Sequence, residues 1–253
     1  MIKFQSFLSS SSGNCTFVTD DHTHLLVDCG AGGKYITECM RRIGVDPHEL
    51  SGILITHEHR DHIAGVGILS RKYDIPVYAT EKTWDAIGES LGRFNEQNKR
   101  LAEQSMEFGK MTVSSFPIPH DAAEPVGYSF ETSDDKFTIA TDLGMITDSL
   151  FEALKGSKSI IIEANHDTDM LKNGPYPFYL KRRIAGEQGH LSNELCGRLC
   201  ADLAKTGTET IWLGHLSSEN NRPELAYQTV SAILHELNEK NVILNVLPKY
   251  WIA

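Results

Sequence analysis

Short apolar runs rich in β-branched residues recur along this chain, separated by turn residues, and they predict strands at 3–8, 15–19, 24–28, 52–56 and 76–79. Further runs predict strands at 112–117, 127–132, 136–141, 159–163, 211–214 and 242–247. Helical spacing interrupts them. Residues 35–43 read as a helix closed by Gly44, and 63–72 as another. Residues 83–107 are polar and helix-prone, with a break near Gly92. Ser192-Asn193-Glu194 opens a helix whose apolar positions are Leu195, Leu199, Leu203 and Ala204, stopped by Gly207. Residues 223–240 form an amphipathic helix with Pro223 in its first turn. Strands interspersed with helices, without linker or repeat, predict an α/β fold of two sheets covered by helices, a four-layer arrangement in one domain over 1–253.

Composition narrows this little. The chain has 253 residues, 40% hydrophobic and 23% charged, an ordinary balance for a globular protein. A net charge of −10 argues against a broad basic surface but leaves room for a local basic patch. The five cysteines, Cys15, Cys29, Cys39, Cys196 and Cys200, are odd in number and form no CxxC, which argues against a disulfide framework; Cys196 and Cys200, four apart on a helix, suit a metal clip less well than buried thiols. The run Met1–Phe7 is too polar for a signal peptide, and no stretch is apolar enough to span a membrane. A reduced cytoplasmic location is expected.

The chemistry concentrates at strand ends. His57-Glu58-His59-Arg60-Asp61-His62 follows the apolar run at 52–56. A core strand can spare one histidine for a hydrogen bond, but hiding three beside an aspartate would leave their desolvation uncompensated. Imidazoles and a carboxylate suit zinc and neighbouring first-row metals. His120, Asp142 and His215 each stand where another predicted strand stops. Strand ends of one sheet edge lie side by side, so these residues converge on one rim. Together they supply enough ligands for two divalent ions, with a bridging carboxylate and a bridging water.

His57-Glu58-His59-Arg60-Asp61-His62 resembles the HxHxDH signature of the metallo-β-lactamase superfamily. His120, Asp142 and His215 are similar to its later metal motifs in order and context, and Asp28 to the early aspartate that buttresses the metal loop. Ser9–Cys15, Glu163-Ala164-Asn165-His166-Asp167 and Gly189-His190-Leu191-Ser192-Asn193-Glu194 resemble the YycJ (WalJ) branch, which is similar to bacterial exonucleases acting on DNA and to phosphodiesterase relatives of tRNase Z. The resemblance implies a four-layer αββα sandwich. It places one metal on His57, His59 and His120, the other on Asp61, His62 and His215, and Asp142 between them. Zinc is the expected ion, with manganese or iron as alternatives. Two such ions, about 3.5–4 Å apart, turn a shared water into a hydroxide nucleophile.

Other positions keep two readings. Asp61 is a ligand or a group that orients water. His190 is either a catalytic and substrate-binding residue or part of a helix-capping turn, and the basic run Lys181-Arg182-Arg183 upstream favours the former. Ser192 and Asn193 offer a phosphate contact. His166 contacts substrate or stabilises its loop. Ser11, Gly13 and Asn14 line the rim or make a plain turn. Trp84, Trp212 and Trp251 read as packing anchors. The Gly30-Ala31-Gly32-Gly33 run fails the dinucleotide spacing at Tyr35. The expected activity is metal-dependent phosphodiester hydrolysis, as a 5′-to-3′ DNA exonuclease; the alternative is hydrolysis of a small cyclic phosphodiester, thioester or lactone. DNA is the expected partner, no membrane is implied, and the oligomeric state is left open.

Overall fold

The structure is a computed structural model that describes residues 1–239 and 241–251. Two sheets form among these residues. The first runs β1 (Lys3–Ser10), β2 (Gly13–Thr19), β3 (His24–Val27), β4 (Gly52–Leu54), β5 (Val77–Ala79) and β6 (Lys99–Leu101), in that order across the sheet. The second contains β7 (Ser105–Phe108), β8 (Met111–Pro117), β9 (Val126–Glu131), β10 (Lys136–Ala140), β11 (Ser159–Glu163), β12 (Thr210–Gly214) and β13 (Ile243–Val246). Their order, from β13 through to β7, is again sequential.

The period-2 alternation sorts side chains into layers. On β4, Ile53 faces outward into a core with helices, and Leu54 faces inward to the other sheet. On β11, Ile160 and Ile162 meet helices while Ile161 joins the inter-sheet core. Strands buried on both faces must be apolar at every position, which is why these runs looked continuous. Helices α1 (Gly33–Arg42), α3 (Val66–Tyr73) and α4 (Glu81–Ile87) cover the first sheet through Ile36, Met40, Leu69 and Trp84. Helices α5 (Asp148–Leu154), α8 (Asn193–Ala204) and α9 (Pro223–Glu236) cover the second through Leu150, Leu199, Cys200 and Val230. The result is the expected four-layer αββα sandwich.

Several boundaries differ from the sequence reading. Residues 83–107 do not form one long helix: α4 ends at Ile87, Gly88 and Gly92 take positive φ, and the segment then supplies β6 and part of β7. Its polar residues favour a helix locally, but the apolar stripe Trp84, Ile87 and Leu91 that seats the first turns on the core is not continued beyond Gly92. The helix expected at 63–72 starts only at Val66 as α3, after a separate short α2 (Arg60–Ile63), because Gly65 N donates to the Cys29 carbonyl (2.7 Å) rather than continuing the helix. Three short helices went unseen: α5, α6 (Thr168–Asn173) and α7 (Phe178–Ile184). The amphipathic helix expected at 223–240 ends as α9 at Glu236, and Lys240 lies outside the described residues. All five cysteines are buried thiols.

The topology places the rim. β10, β11 and β12 are parallel, with Ala140 opposite Ile162 and Glu163 opposite Gly214. β8 pairs antiparallel to β9, which pairs antiparallel to β10, so β8 and β10 point the same way. His120, Asp142, Glu163 and His215 therefore leave the second sheet at one edge. β3 and β4 are parallel and deliver Asp28 and the His57–His62 loop from the first sheet.

Candidate metal centre

The segment after β4 is fixed before its side chains are considered. Cys29 N donates to the His62 carbonyl (2.7 Å), and Gly30 N donates to the Asn14 carbonyl (2.7 Å). Gly30 runs so close to Asp61 that an added Cβ would sit 1.6 Å from its carbonyl oxygen. Only glycine permits that approach. The chain turns at three strand ends through left-handed backbone: Asp28 (φ 59), Asp142 (φ 61) and His215 (φ 54). Each of these conformations is strained by about 1 kcal/mol for a residue with a Cβ, and such strain persists where surrounding contacts over-determine it.

Acceptors then fix the imidazoles. Asp28 Oδ1 accepts from Thr56 N (2.9 Å), and its Oδ2 accepts from Thr56 Oγ1 (2.8 Å) and His62 Nδ1 (2.7 Å). Because the Thr56 hydroxyl donates to Asp28, its oxygen accepts from His57 Nδ1 at 3.0 Å. His120 Nδ1 donates to the Gly189 carbonyl (3.1 Å), and His215 Nδ1 donates to Glu163 Oε1 (2.7 Å). Each of these four rings has its Nδ1 proton held from behind, so the tautomer assigned by these partners leaves the Nε2 lone pair for the centre.

Those lone pairs meet carboxylate oxygens. Asp142 Oδ2 is 3.3 Å from His62 Nε2, and Asp142 Oδ1 is 3.5 Å from His215 Nε2 and 3.7 Å from His120 Nε2. Asp61 Oδ2 lies 3.4 Å from His62 Nε2 and 3.8 Å from His215 Nε2. His57 Nε2 and His59 Nδ1 are 3.1 Å apart. Donor atoms close to within 4.8 Å in the set His57, His59, His120 and in the set Asp61, His62, His215. Asp142 closes onto His57 and His62 on one side, and onto Glu163, His190 and His215 on the other. Asp142 Oδ2 and His215 Nε2 are buried without a hydrogen-bond partner. A carboxylate oxygen facing an imidazole Nε2 in a buried site calls for a proton or a metal ion between them, and this donor set suits divalent metals.

The electrostatics divide along the same line. Burial, reinforced by His62, His120 and His59, lowers the His57 imidazole well below its ordinary value, and burial likewise lowers His120. Burial opposes charge on His62 too, but Asp28, Asp142 and Asp61 together outweigh it and raise that group. His215 is pushed up to about 10: burial opposes its charge, while Asp142, Asp61 and Glu163 prevail. Burial raises Asp61, yet His62 and His215 hold it well below the carboxylate range.

Glu163, quoted from sequence only as the start of the segment 163–167, is the residue whose role sequence reasoning missed. It is fully buried. Its Oε1 accepts from both His215 Nδ1 and His190 Nδ1 (2.8 Å), and its Oε2 accepts from Leu143 N (2.7 Å) and Leu191 N (3.1 Å). One carboxylate thus ties the Asp142 loop, the His190 segment and His215 together. A carboxylate ending a wholly apolar strand, in register with the Asp142 and His215 strands, was the available signal. Asp121 is a second unforeseen neighbour: its Oδ1, 3.4 Å from His120 Nε2, is buried and without a hydrogen bond, and its Oδ2 accepts from Arg183 Nε.

The remaining expected residues fall as follows. His190 stands beside the centre with 19% of its side chain exposed, its Nδ1 3.7 Å from Asp142 Oδ1. Ser11 is exposed on the β1–β2 turn. Asn14 is buried, bonded to the Ser10 backbone, with Nδ2 3.1 Å from His62 Nε2. His166 is buried with Nδ1 unpartnered, and its backbone pairs with Ser192. The Ser192 hydroxyl caps α8 by accepting from Leu195 N. Trp84, on α4, packs into the core beside the first sheet and donates to the Arg100 carbonyl.

The profile described as "Beta-lactamase superfamily domain" matches residues 23–215. The chain is 41% identical over 237 residues to the exodeoxyribonuclease YycJ of Bacillus anthracis, covering 93% of this chain and 90% of that one. It is also 41% identical over 232 residues to the exodeoxyribonuclease WalJ of Streptococcus pneumoniae, covering 90% and 86%. Among solved structures, the metallo-β-lactamase fold protein YhfI of Bacillus subtilis superposes with a TM-score of 0.74 at 15% identity, covering 99% of this chain and 98% of that one.

Proposed function

The chain belongs to the metallo-β-lactamase superfamily, and on that premise we propose that it is a dinuclear metal-dependent phosphodiesterase acting as a 5′-to-3′ DNA exonuclease. The observation that carries this reading is Asp142, whose two oxygens border both donor sets and leave one buried atom unpartnered. His57, His59 and His120 would hold one ion, Asp61, His62 and His215 the other, and Asp142 would serve both. Zinc suits the histidine-rich set best, with manganese or iron as substitutes. When bound, such ions ionise water near neutral pH and neutralise charge on phosphate oxygens.

The chain's own residues prepare that chemistry. Asp28 and Glu163 keep His62 and His215 turned so that Nε2 faces inward. Asp61, anionic and beside two imidazoles, orients water at the centre. His190 is the partly exposed imidazole at the mouth, its charged form favoured by Glu163 and Asp142 against the opposing effect of burial. It supplies a proton to the departing oxygen of the phosphodiester. Ser11 lies open to an incoming strand, whereas the buried Asn14, His166 and Ser192 shape the surface it meets.

The two exodeoxyribonuclease relatives, similar over nine-tenths of the chain, support DNA as substrate, and the cytoplasmic setting expected from the cysteines, all buried thiols, belongs to the same proposal. No helix among the described residues is long and apolar enough to cross a membrane. The net charge of −10 sustains the alternative of a small cyclic phosphodiester, thioester or lactone. The deciding experiment offers 5′- and 3′-labelled single-stranded and duplex DNA to protein supplied with zinc, manganese or iron. Mononucleotide release from the 5′ end is expected. No cleavage of any strand, with turnover of a small ester instead, overturns the reading.

A further inference from the structure

The basic run Lys181-Arg182-Arg183 is not used by the centre, and its place in the fold gives it a task. It lies on α7, a helix that buries none of its residues. Phe178 and Tyr179 in its first turn are 75% and 74% exposed, more than any other aromatic side chain among the described residues. Aromatic rings left in water on a helix that contributes nothing to the core have no structural reason to be there. The Arg182 guanidinium sits 6.0 Å from the Phe178 ring centroid, so a cation and a π-face are offered together.

This helix is attached to the centre rather than set apart from it. Arg183 Nε pairs with Asp121 Oδ2, and Asp121 Oδ1 is 3.4 Å from His120 Nε2. Asp121 N donates to the Gln188 carbonyl (3.0 Å), and His190 N donates to the Ile184 carbonyl at the end of α7 (2.8 Å). At the other end, Lys181 Nζ donates to the Lys172 carbonyl (2.8 Å). The exposed rings and cations therefore stand on a short arm that leads directly into the His120–His190 side of the site.

We propose that α7 is the platform that receives an unpaired nucleic-acid strand, with Phe178 and Tyr179 stacking on its bases and Lys181 and Arg182 meeting its phosphates; this rests on the phosphodiesterase reading above. Stacking needs a free base face, so the platform selects single-stranded ends over closed duplex. Local cations offset the overall charge of −10 where the strand lies. An anionic membrane would also attract aromatic and basic residues. However, a seven-residue helix with two rings is a small insertion surface, and a bilayer on it would cover the centre's approach.

The test uses the full chain and a fluorescent phosphorothioate single strand, which resists cleavage, followed by anisotropy. The double variant Phe178→Ala, Tyr179→Ala is expected to bind about tenfold more weakly than wild type, on the scale of base–aromatic stacking. Arg182→Glu is expected to weaken binding and flatten its salt dependence by about one unit of log–log slope. On cleavable DNA, the double variant's kcat/KM should fall about tenfold more than on bis-p-nitrophenyl phosphate, since only a strand reaches the platform. Wild-type thermal melting and metal content in the variants certify their fold. Equal oligonucleotide affinity in wild type and double variant overturns the platform while leaving the phosphodiesterase reading intact. Platform-dependent binding without any phosphodiester cleavage overturns that reading and supports the platform. Binding to phosphatidylserine vesicles that disappears in the double variant, with oligonucleotide affinity unchanged, assigns α7 to a membrane and overturns it.

Discussion

At the scale of single residues, the centre is governed by the groups behind the candidate ligands. Glu163 fixes two imidazoles and accepts two backbone amides with one buried carboxylate. Glu163→Gln keeps the shape and an oxygen for the amides but removes the charge. Phosphodiesterase activity and metal affinity are expected to fall about 10–100-fold, with the thermal melt shifting far less. Metal equivalents per chain against kcat would show it; an unchanged affinity would mean that Glu163 is only a packing residue. Asp28→Asn, which weakens the hold on His62 Nδ1, should lose metal on the same scale. The candidate ligands were legible because histidines and aspartates are conspicuous at the ends of apolar runs. The role of Glu163 was not, because a glutamate ending a strand reads as an ordinary surface residue until the sheet register places it beside His215. The left-handed backbone at Asp28, Asp142 and His215 was equally invisible, since it is imposed by contacts and not by residue type.

At the scale of elements, the loops between strands carry the precision. Gly30→Ala would drive a methyl into the Asp61 carbonyl, so the metal loop must move. A destabilisation of about 3 kcal/mol or more is expected, with loss of bound metal even where the protein remains folded. Leu54→Ala, in the core between the sheets, should destabilise by a similar amount, about 2–5 kcal/mol, yet retain metal below its melt. Comparing metal content in the two variants at equal fraction folded separates loop placement from general stability. Strands were read well because both-face burial leaves unbroken apolar runs. Short helices were read poorly: α5, α6 and α7 are each seven residues or fewer and bury few or none of their side chains. Residues 83–107 misled for the converse reason, having helical propensity throughout but an apolar face only as far as Leu91.

At the scale of the whole molecule, folding gathers charge that only a cation balances. In the metal-free protein that cation is the proton. His215, at about 10 when folded and near 6.5 when not, contributes stability that is full below pH 6.5 and withdrawn as pH rises toward 10. His62 and His190, also raised, act in the same sense. His57, His120 and His166 are lowered by burial, so they cost stability only below about pH 6.5 and add no slope above it. The melting temperature of chelator-treated protein should therefore fall between about pH 7 and 8.5, below the range where thiols and phenols ionise. The metal-loaded protein should not follow it, because a bound ion replaces those protons. Parallel pH profiles would contradict the arrangement. The central claim is that two divalent ions share Asp142, and anomalous diffraction at a metal absorption edge tests it most directly. Two peaks are expected, one among His57, His59 and His120 and one among Asp61, His62 and His215, with Asp142 touching both. A single peak away from Asp142, or no peak within this cluster, would contradict it.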